Sequence, residues 1–211
     1  MKFLNKEEMT KEQQILLAAE EEFLKNGYDA TSTAVIARKV GVTHAMVNYY
    51  YRNKKQLFLK VLDVCTVELL EKIKVLMRVD GNFVELAANT SAILFDSFLA
   101  KRRLPFLLLD VARTHPEFLE HYREVVGTVC AESIKRHSVY LEQQILEGKV
   151  ADCTINDVFN TVMSLALAPF LNAPMLENVL GMSEEEIEAY LKAHRAEMLK
   201  IIYARYSGTQ K

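Results

Sequence analysis

The residues best suited to chemistry lie between Ser32 and Leu57, in the run STAVIARKVGVTHAMVNYYYRNKKQL. From residue 31 to residue 60 there are six basic side chains (Arg38, Lys39, Arg52, Lys54, Lys55 and Lys60) and no acidic one. Polar donors with uncompensated positive charge suit a polyanion, and their order along the chain suits double-stranded DNA. A helix that reads DNA must be short, polar at its N-terminal end and flanked by phosphate contacts that fix its register. Thr43, His44, Ala45, Met46 and Asn48 form the exposed start of such a helix, and Tyr49, Tyr50, Tyr51 and Arg52 follow. Lys54 and Lys55 fall in the first turn of the next helix, where free amides and the helix dipole favour a phosphate. Tyrosine hydroxyls can bond phosphate without burying a charge. A run of three tyrosines also reads as packing, so Tyr51 is expected in the core and Tyr49 and Tyr50 as contacts.

Two crossed helices have to hold these groups. Ala37, Gly41 and Val47 fall where such a pair needs, in turn, a small side chain, a turn glycine and a buried apolar residue, and Ile36, Val40 and Val42 complete the seam. Gly41 can take the positive φ that ends one helix and aims the chain into the next. Ser32 is the expected cap of the first of the pair and Thr43 of the second, which runs to about Tyr50. Asn53, with Gln56 three residues on, opens a long helix whose face is Leu57, Val61, Leu62, Cys65, Leu69, Ile73 and Leu76, broken at Asp80-Gly81-Asn82. Upstream, Thr10 and Gln13 form a capping box for a helix bearing Ile15, Leu16, Ala19 and Phe23 and closing at Asn26-Gly27.

The remaining chain must carry that head. With 211 residues, half of them apolar, four prolines and seven glycines, it suits one globular unit or two small ones. Long 3.6-residue periodicity makes the expected fold all-α, with about nine helices. The later helices are expected over about Phe83–Ala100, Pro105 to Thr114, Pro116 to Glu147, Thr154 to Leu171 with a further turn after Pro174, and Ser183 to near Tyr206. Gly127, inside the seventh, reads as close helix packing or as a place where a ligand meets bare backbone. The net charge of −2 hides an asymmetry, because residues 1–60 carry ten Lys/Arg against seven Asp/Glu and residues 61–211 sixteen against twenty-one. A basic head on an acidic body fits one DNA-facing end. Cys65, Cys130 and Cys153 sit singly and read as reduced core residues. His44, His115, His121, His137 and His194 lack metal-ligand spacing, so no metal or other cofactor is expected. No signal peptide is legible at the N-terminus. The stretch Val162 to Leu171 is too short to span a bilayer, so a soluble, cytoplasmic protein with no membrane partner is expected.

Residues 15–62, ILLAAEEEFLKNGYDATSTAVIARKVGVTHAMVNYYYRNKKQLFLKVL, resemble the N-terminal signature of the TetR/AcrR family of bacterial transcriptional regulators. The resemblance rests on Gly27-Tyr28, Ser32, Ile36-Ala37, Gly41-Val42, Asn48-Tyr49 and Asn53-Lys54 at their spacings. It implies a helix-turn-helix DNA-binding domain over 1–53 and, over 54–211, a helical domain for effector binding and dimerisation, the two joined by the long fourth helix. By position it implies that Ser32 and Thr33 cap the second helix against phosphate. His44, Ala45 and Tyr49 would face bases, with Tyr50 and Lys54 on the backbone. Many members have a small polar residue at Met46 and a tyrosine at Asn48, so the operator sequence cannot be copied from better-known members.

In the body, the eighth helix is apolar nearly all round, which requires cover on both sides. Either it is an ordinary core helix or, with the ninth, it forms a homodimer interface about a two-fold axis. Cys65, Phe95, Phe98, Phe106, Phe118, Phe159 and Met163, with Arg113, His115 and Tyr122 as polar groups, are candidates for a small-molecule pocket. Core filling is the alternative for each aromatic residue. The expected function is a homodimeric repressor released from a palindromic operator by a hydrophobic or amphipathic effector, with an acidic group near Arg113. An effector-dependent activator, or a protein-binding adaptor whose helix-turn-helix only packs, are the alternatives. No nucleophile, metalloprotease, P-loop or dinucleotide motif supports an enzyme.

Overall fold

The computed structural model describes residues 9–76 and 81–208, with side chains except at 121, 122 and 124–134. Among the described residues the chain is all-α, as its periodicity predicts, and no strand forms. Nine helices follow in order: α1 (Lys11–Ala30), α2 (Thr33–Val40), α3 (His44–Tyr51), α4 (Lys54–Leu76), α5 (Phe83–Ala100), α6 (Leu104–Thr114), α7 (Glu120–Leu146), α8 (Ile155–Asn178) and α9 (Glu184–Tyr206). They form two compact units, Met1–Glu68 with Phe106–Leu119, and Leu69–Pro105 with Glu120–Lys211. A boundary at 53/54 falls inside the first unit. Phe58 on α4 meets Phe23 of α1 edge-on at 4.8 Å and Phe118 at 5.5 Å, so a cut there would divide one aromatic core.

In the first unit, local chemistry sets each helix end. The Thr10–Gln13 capping box starts α1, and Ser32 and Thr43 accept the first amides of α2 and α3 through their hydroxyls. α1 does not stop at Gly27. It bends there, with φ 76° and ψ 178°, and resumes to Ala30. Thr31, buried beyond the bend, donates its hydroxyl to the Gly27 carbonyl at 2.7 Å. The segment after Pro116 also departs from the expected long helix. Pro116–Phe118 is a 3-10 turn, Phe118 packs into the first unit's core, and α7 begins only at Glu120.

In the second unit, α5 packs on α8 and α9, and α8 also meets α9 and α7. Phe95, Phe170, Leu191, Met198 and Ile202 are fully buried there. Gln144 on α7 accepts the Phe83 amide at 3.0 Å and donates to the Gly81 carbonyl at 2.8 Å, which secures the start of α5. Asp96 and Arg195 join α5 to α9 through two hydrogen bonds of 2.6 and 2.7 Å. α8 runs past Leu171 and through both Pro169 and Pro174. Proline has no amide to offer the carbonyl four residues back, which for Pro169 is that of Leu165. His194 of α9 replaces the missing donor, its Nε2 lying 2.9 Å from the Leu165 oxygen. The helix can therefore continue where the sequence suggests an end.

The loop between α7 and α8 is tied to the end of α9. Val150 and Ser207 form an antiparallel bridge, flanked by Ala151 N–H to the Tyr206 carbonyl and Gly208 N–H to the Lys149 carbonyl, each 2.9 Å. A Cβ on Gly208 would lie 1.9 Å from the Gly148 oxygen, so only glycine permits this approach. By length and composition α5 and α8 could each cross a membrane, a test that core helices of soluble proteins also pass. Continuation through the prolines is what brings α8 to that length, against the short span expected from Val162 to Leu171.

Candidate nucleic-acid interface

The geometry around α2 and α3 is that of a helix-turn-helix. Gly41 ends α2 at φ 69° and ψ 37°. Its amide bonds to the Arg38 carbonyl and that of Val42 to the Ala37 carbonyl, a double closure that satisfies the helix end. Ile36, Ala37, Val47 and Tyr51 are buried, and the Tyr51 hydroxyl donates to the Glu12 carbonyl at 3.0 Å. Burial, then Glu12 and Tyr50, push the Tyr51 phenol up to about 12. Tyr51 is thus core, as its place in the tyrosine run suggests.

What remains outward on α3 is His44, Ala45, Asn48 and Tyr49, the last 82% exposed, with Met46 and Tyr50 half-buried. Tyr49 and Tyr50 meet edge-on at 5.3 Å. His44 bridges the two helices, with Nε2 2.8 Å from Thr33 Oγ1 and Nδ1 3.4 Å from Asn48 Nδ2. α3 ends at Arg52, a non-glycine residue at φ 62° and ψ −52°, and the Asn53 amide reaches back to the Tyr51 carbonyl at 2.6 Å. That is a tight γ-turn with positive φ. Asn53 then caps α4, its Oδ1 accepting the Gln56 amide at 2.9 Å.

Residues 15–61 match the family model described as bacterial regulatory proteins, tetR family. That segment, α1 to the start of α4, is a TetR-family domain. The match supports DNA-binding transcriptional regulation as the coarse function. Solved structures share the TetR fold along nearly the whole chain. Stearoyl-CoA-bound FadR from Bacillus subtilis matches at 16% identity and TM-score 0.60, covering 90% of this chain and 96% of that one. The fatty acid degradation regulator FadR from Bacillus halodurans matches at 16% and 0.53, covering 88% and 96%. A TetR/AcrR-family regulator from Thermobifida fusca matches at 18% and 0.55, covering 90% and 96%. No curated protein matches the chain.

The cations beside the TetR-type helices differ in how they are held. Lys39 pairs with Glu21 and Glu22 at 2.8 and 3.0 Å, and those hydrogen bonds raise its pKa. Lys54 donates to the Asp29 carbonyl at 3.1 Å and sits 4.5 Å over the Tyr28 ring. Lys55 lies 5.2 Å over Phe118. Tyr28 is part of a cluster that sequence spacing does not reveal, meeting Phe58, His115 and Phe118 at 4.8 to 4.9 Å. His115 stacks on Phe118 and pairs with Asp29 at 3.0 Å and Glu117 at 3.3 Å. Burial opposes its charged form, but the hydrogen bonds to Asp29 and Glu117 outweigh it and raise its pKa.

The residues expected to line an effector pocket divide between two cores. In the first unit, Cys65 is buried on α4, and His115 and Phe118 belong to the aromatic cluster just described. Phe106 and Arg113 are exposed on α6; Arg113, 77% exposed, pairs only loosely with Asp110 of its own helix at 3.5 Å. In the second unit, Phe95 and Phe98 are buried around Phe170, at 5.0 and 5.9 Å. Met163 is half-buried on α8 and Phe159 is 58% exposed. Tyr122 lies on α7, outside the residues described at side-chain level.

Proposed function

We propose that this TetR-family protein is a homodimeric repressor that binds a palindromic operator and is released from it by a small hydrophobic or amphipathic effector. The observation that carries the operator reading is the outward face of α3, polar and aromatic, within a stretch of thirty residues free of acidic side chains. Thr33, Tyr50, Lys54 and Lys55 supply phosphate contacts around it, and Ser32 caps α2 beside them. Two copies of α3, about 34 Å apart, would enter successive major grooves on one side of the duplex.

The dimer is assigned to α8 and α9. α8 leaves Phe159 and Met175 exposed, Val179 just past its end is exposed too, and α9 leaves Ile201 and Tyr203 exposed, an apolar surface that a second copy would cover. The effector class is supported by the apolar make-up of α5 and α8 and by the stearoyl-CoA complex of Bacillus subtilis FadR. Effector binding would act through α4, whose first turn carries Lys54. A coupling of about 1–3 kcal/mol changes DNA affinity roughly 5- to 150-fold, which is enough for a switch.

The test is selection of bound duplexes from a random pool at near-physiological salt, with Tyr49→Ala in parallel and the mass in solution measured. Enrichment of a palindrome by a dimer, weakened in Tyr49→Ala and falling steeply with ionic strength, is expected. A folded dimer that enriches nothing, alone or with candidate acyl compounds added, would give the lead to the adaptor reading.

A further inference from the structure

We propose that Asn48 reads an adenine in the major groove, and that His44 reads no base but holds Asn48 in position. This rests on the operator reading above and deepens it. From sequence, His44 looks like a base reader at the exposed start of α3. Its surroundings say otherwise, because both ring nitrogens already have partners inside the protein. Nε2 lies 2.8 Å from Thr33 Oγ1 on α2, and Nδ1 lies 3.4 Å from Asn48 Nδ2 one turn along α3.

The direction of each bond follows from the groups present. An amide nitrogen can only donate, so Nδ1 of His44 accepts from Asn48. The ring proton is then on Nε2 and is donated to Thr33 Oγ1. Neither ring nitrogen is left for a base edge. Thr33, having accepted, keeps its own hydroxyl hydrogen for a phosphate oxygen at the start of α2. Donation thus runs one way, from Asn48 through His44 and Thr33 towards the backbone of the duplex.

Asn48 gives one amide hydrogen to this chain and keeps its carbonyl oxygen and the other hydrogen, an acceptor beside a donor. In the major groove only adenine offers the matching pair, the N6 amino group and N7. Guanine offers two acceptors, cytosine a donor, and thymine an acceptor with a methyl group. Fixing the amide on His44 removes the rotational freedom an exposed asparagine would otherwise lose on binding, so the contact is preorganised.

The experiment is the same duplex selection, followed by titration of the enriched site with each base at the affected position. Wild type should prefer adenine at one column per half-site by about 5- to 150-fold. Asn48→Ala should flatten that column alone. Asn48→Asp, which keeps the acceptor and loses the donor, should move it towards cytosine. His44→Ala should reduce discrimination at the same column while affinity for non-cognate DNA changes far less. Thr33→Val, which also loses its phosphate contact, should lower affinity for all DNA and reduce discrimination at that column besides, and Thr33→Ser should retain both. A merely structural role for His44 would lower affinity for all sequences alike. An enriched motif with no column altered in Asn48→Ala, or a column that prefers a base other than adenine, would overturn this assignment and leave the operator reading intact. No enriched motif at all would overturn both.

Discussion

His194 and Pro169 offer a quantitative check on how α8 survives its prolines. Replacing His194 with phenylalanine keeps a ring against Phe95, which the imidazole stacks on at 5.9 Å, but removes the donor to the Leu165 carbonyl. A buried acceptor left without a partner costs about 1–3 kcal/mol. The site is only half-buried, so the lower part of that range, about 1–2 kcal/mol, is expected. Pro169→Ala restores an amide four residues beyond Leu165, and in that background the same histidine change should cost about 0.5 kcal/mol or less. The double-mutant cycle should therefore show a coupling of about 1 kcal/mol, above the 0.3–0.5 kcal/mol scatter of independent sites. Urea dependence of hydrogen exchange at α8 and α9 amides confines the measurement to the second unit, where a single global transition cannot be assumed. Additive single mutants would refute the claim that His194 stands in for the missing amide.

Three further outcomes are open to measurement. At Arg52, glycine should be more stable than alanine by about 1 kcal/mol, the reverse of an ordinary helix position, because φ 62° is strained for any side chain; equal midpoints in urea would remove the strain. His115 has a raised pKa, so its contribution to stability is full below about pH 6.5 and is lost as pH rises through the higher folded value. His115→Gln should flatten the dependence of Tm on pH across that window, and parallel curves would contradict the pairing with Asp29 and Glu117. Lys55→Ala should lower the slope of log affinity against log salt by about 1. Lys39→Ala, whose cation is held by Glu21 and Glu22, should lower it less, and equal changes would show that both reach phosphate.

The parts legible in the sequence are those whose chemistry is local. Capping pairs three residues apart, such as Thr10 with Gln13, Thr43 with the Met46 amide and Ser183 with Glu186, announce helix starts by residue type alone. Gly41 announces a turn because only glycine takes its φ without strain. Contacts between distant residues left no such mark. Nothing near His194 says that it completes a helix broken at Pro169, and nothing near Tyr28 points to His115. The same holds at the candidate interface. Its exposed side chains could be named from spacing, but the partners of His44 follow only from α2 and α3 being crossed. Phe118, expected on a long helix, lies in a 3-10 turn and is buried.

The bridge between Val150 and Ser207 has a consequence for the order in which the second unit assembles. The two residues are far apart along the chain, and no backbone pairing between them can form until α8 and α9 have folded back on one another. Contacts of such long sequence separation carry a loop-closure cost that only prior packing repays. The amides of Ala151 and Gly208 should therefore be among the last to become protected during refolding, a timestamp for completion written at the far end of α9.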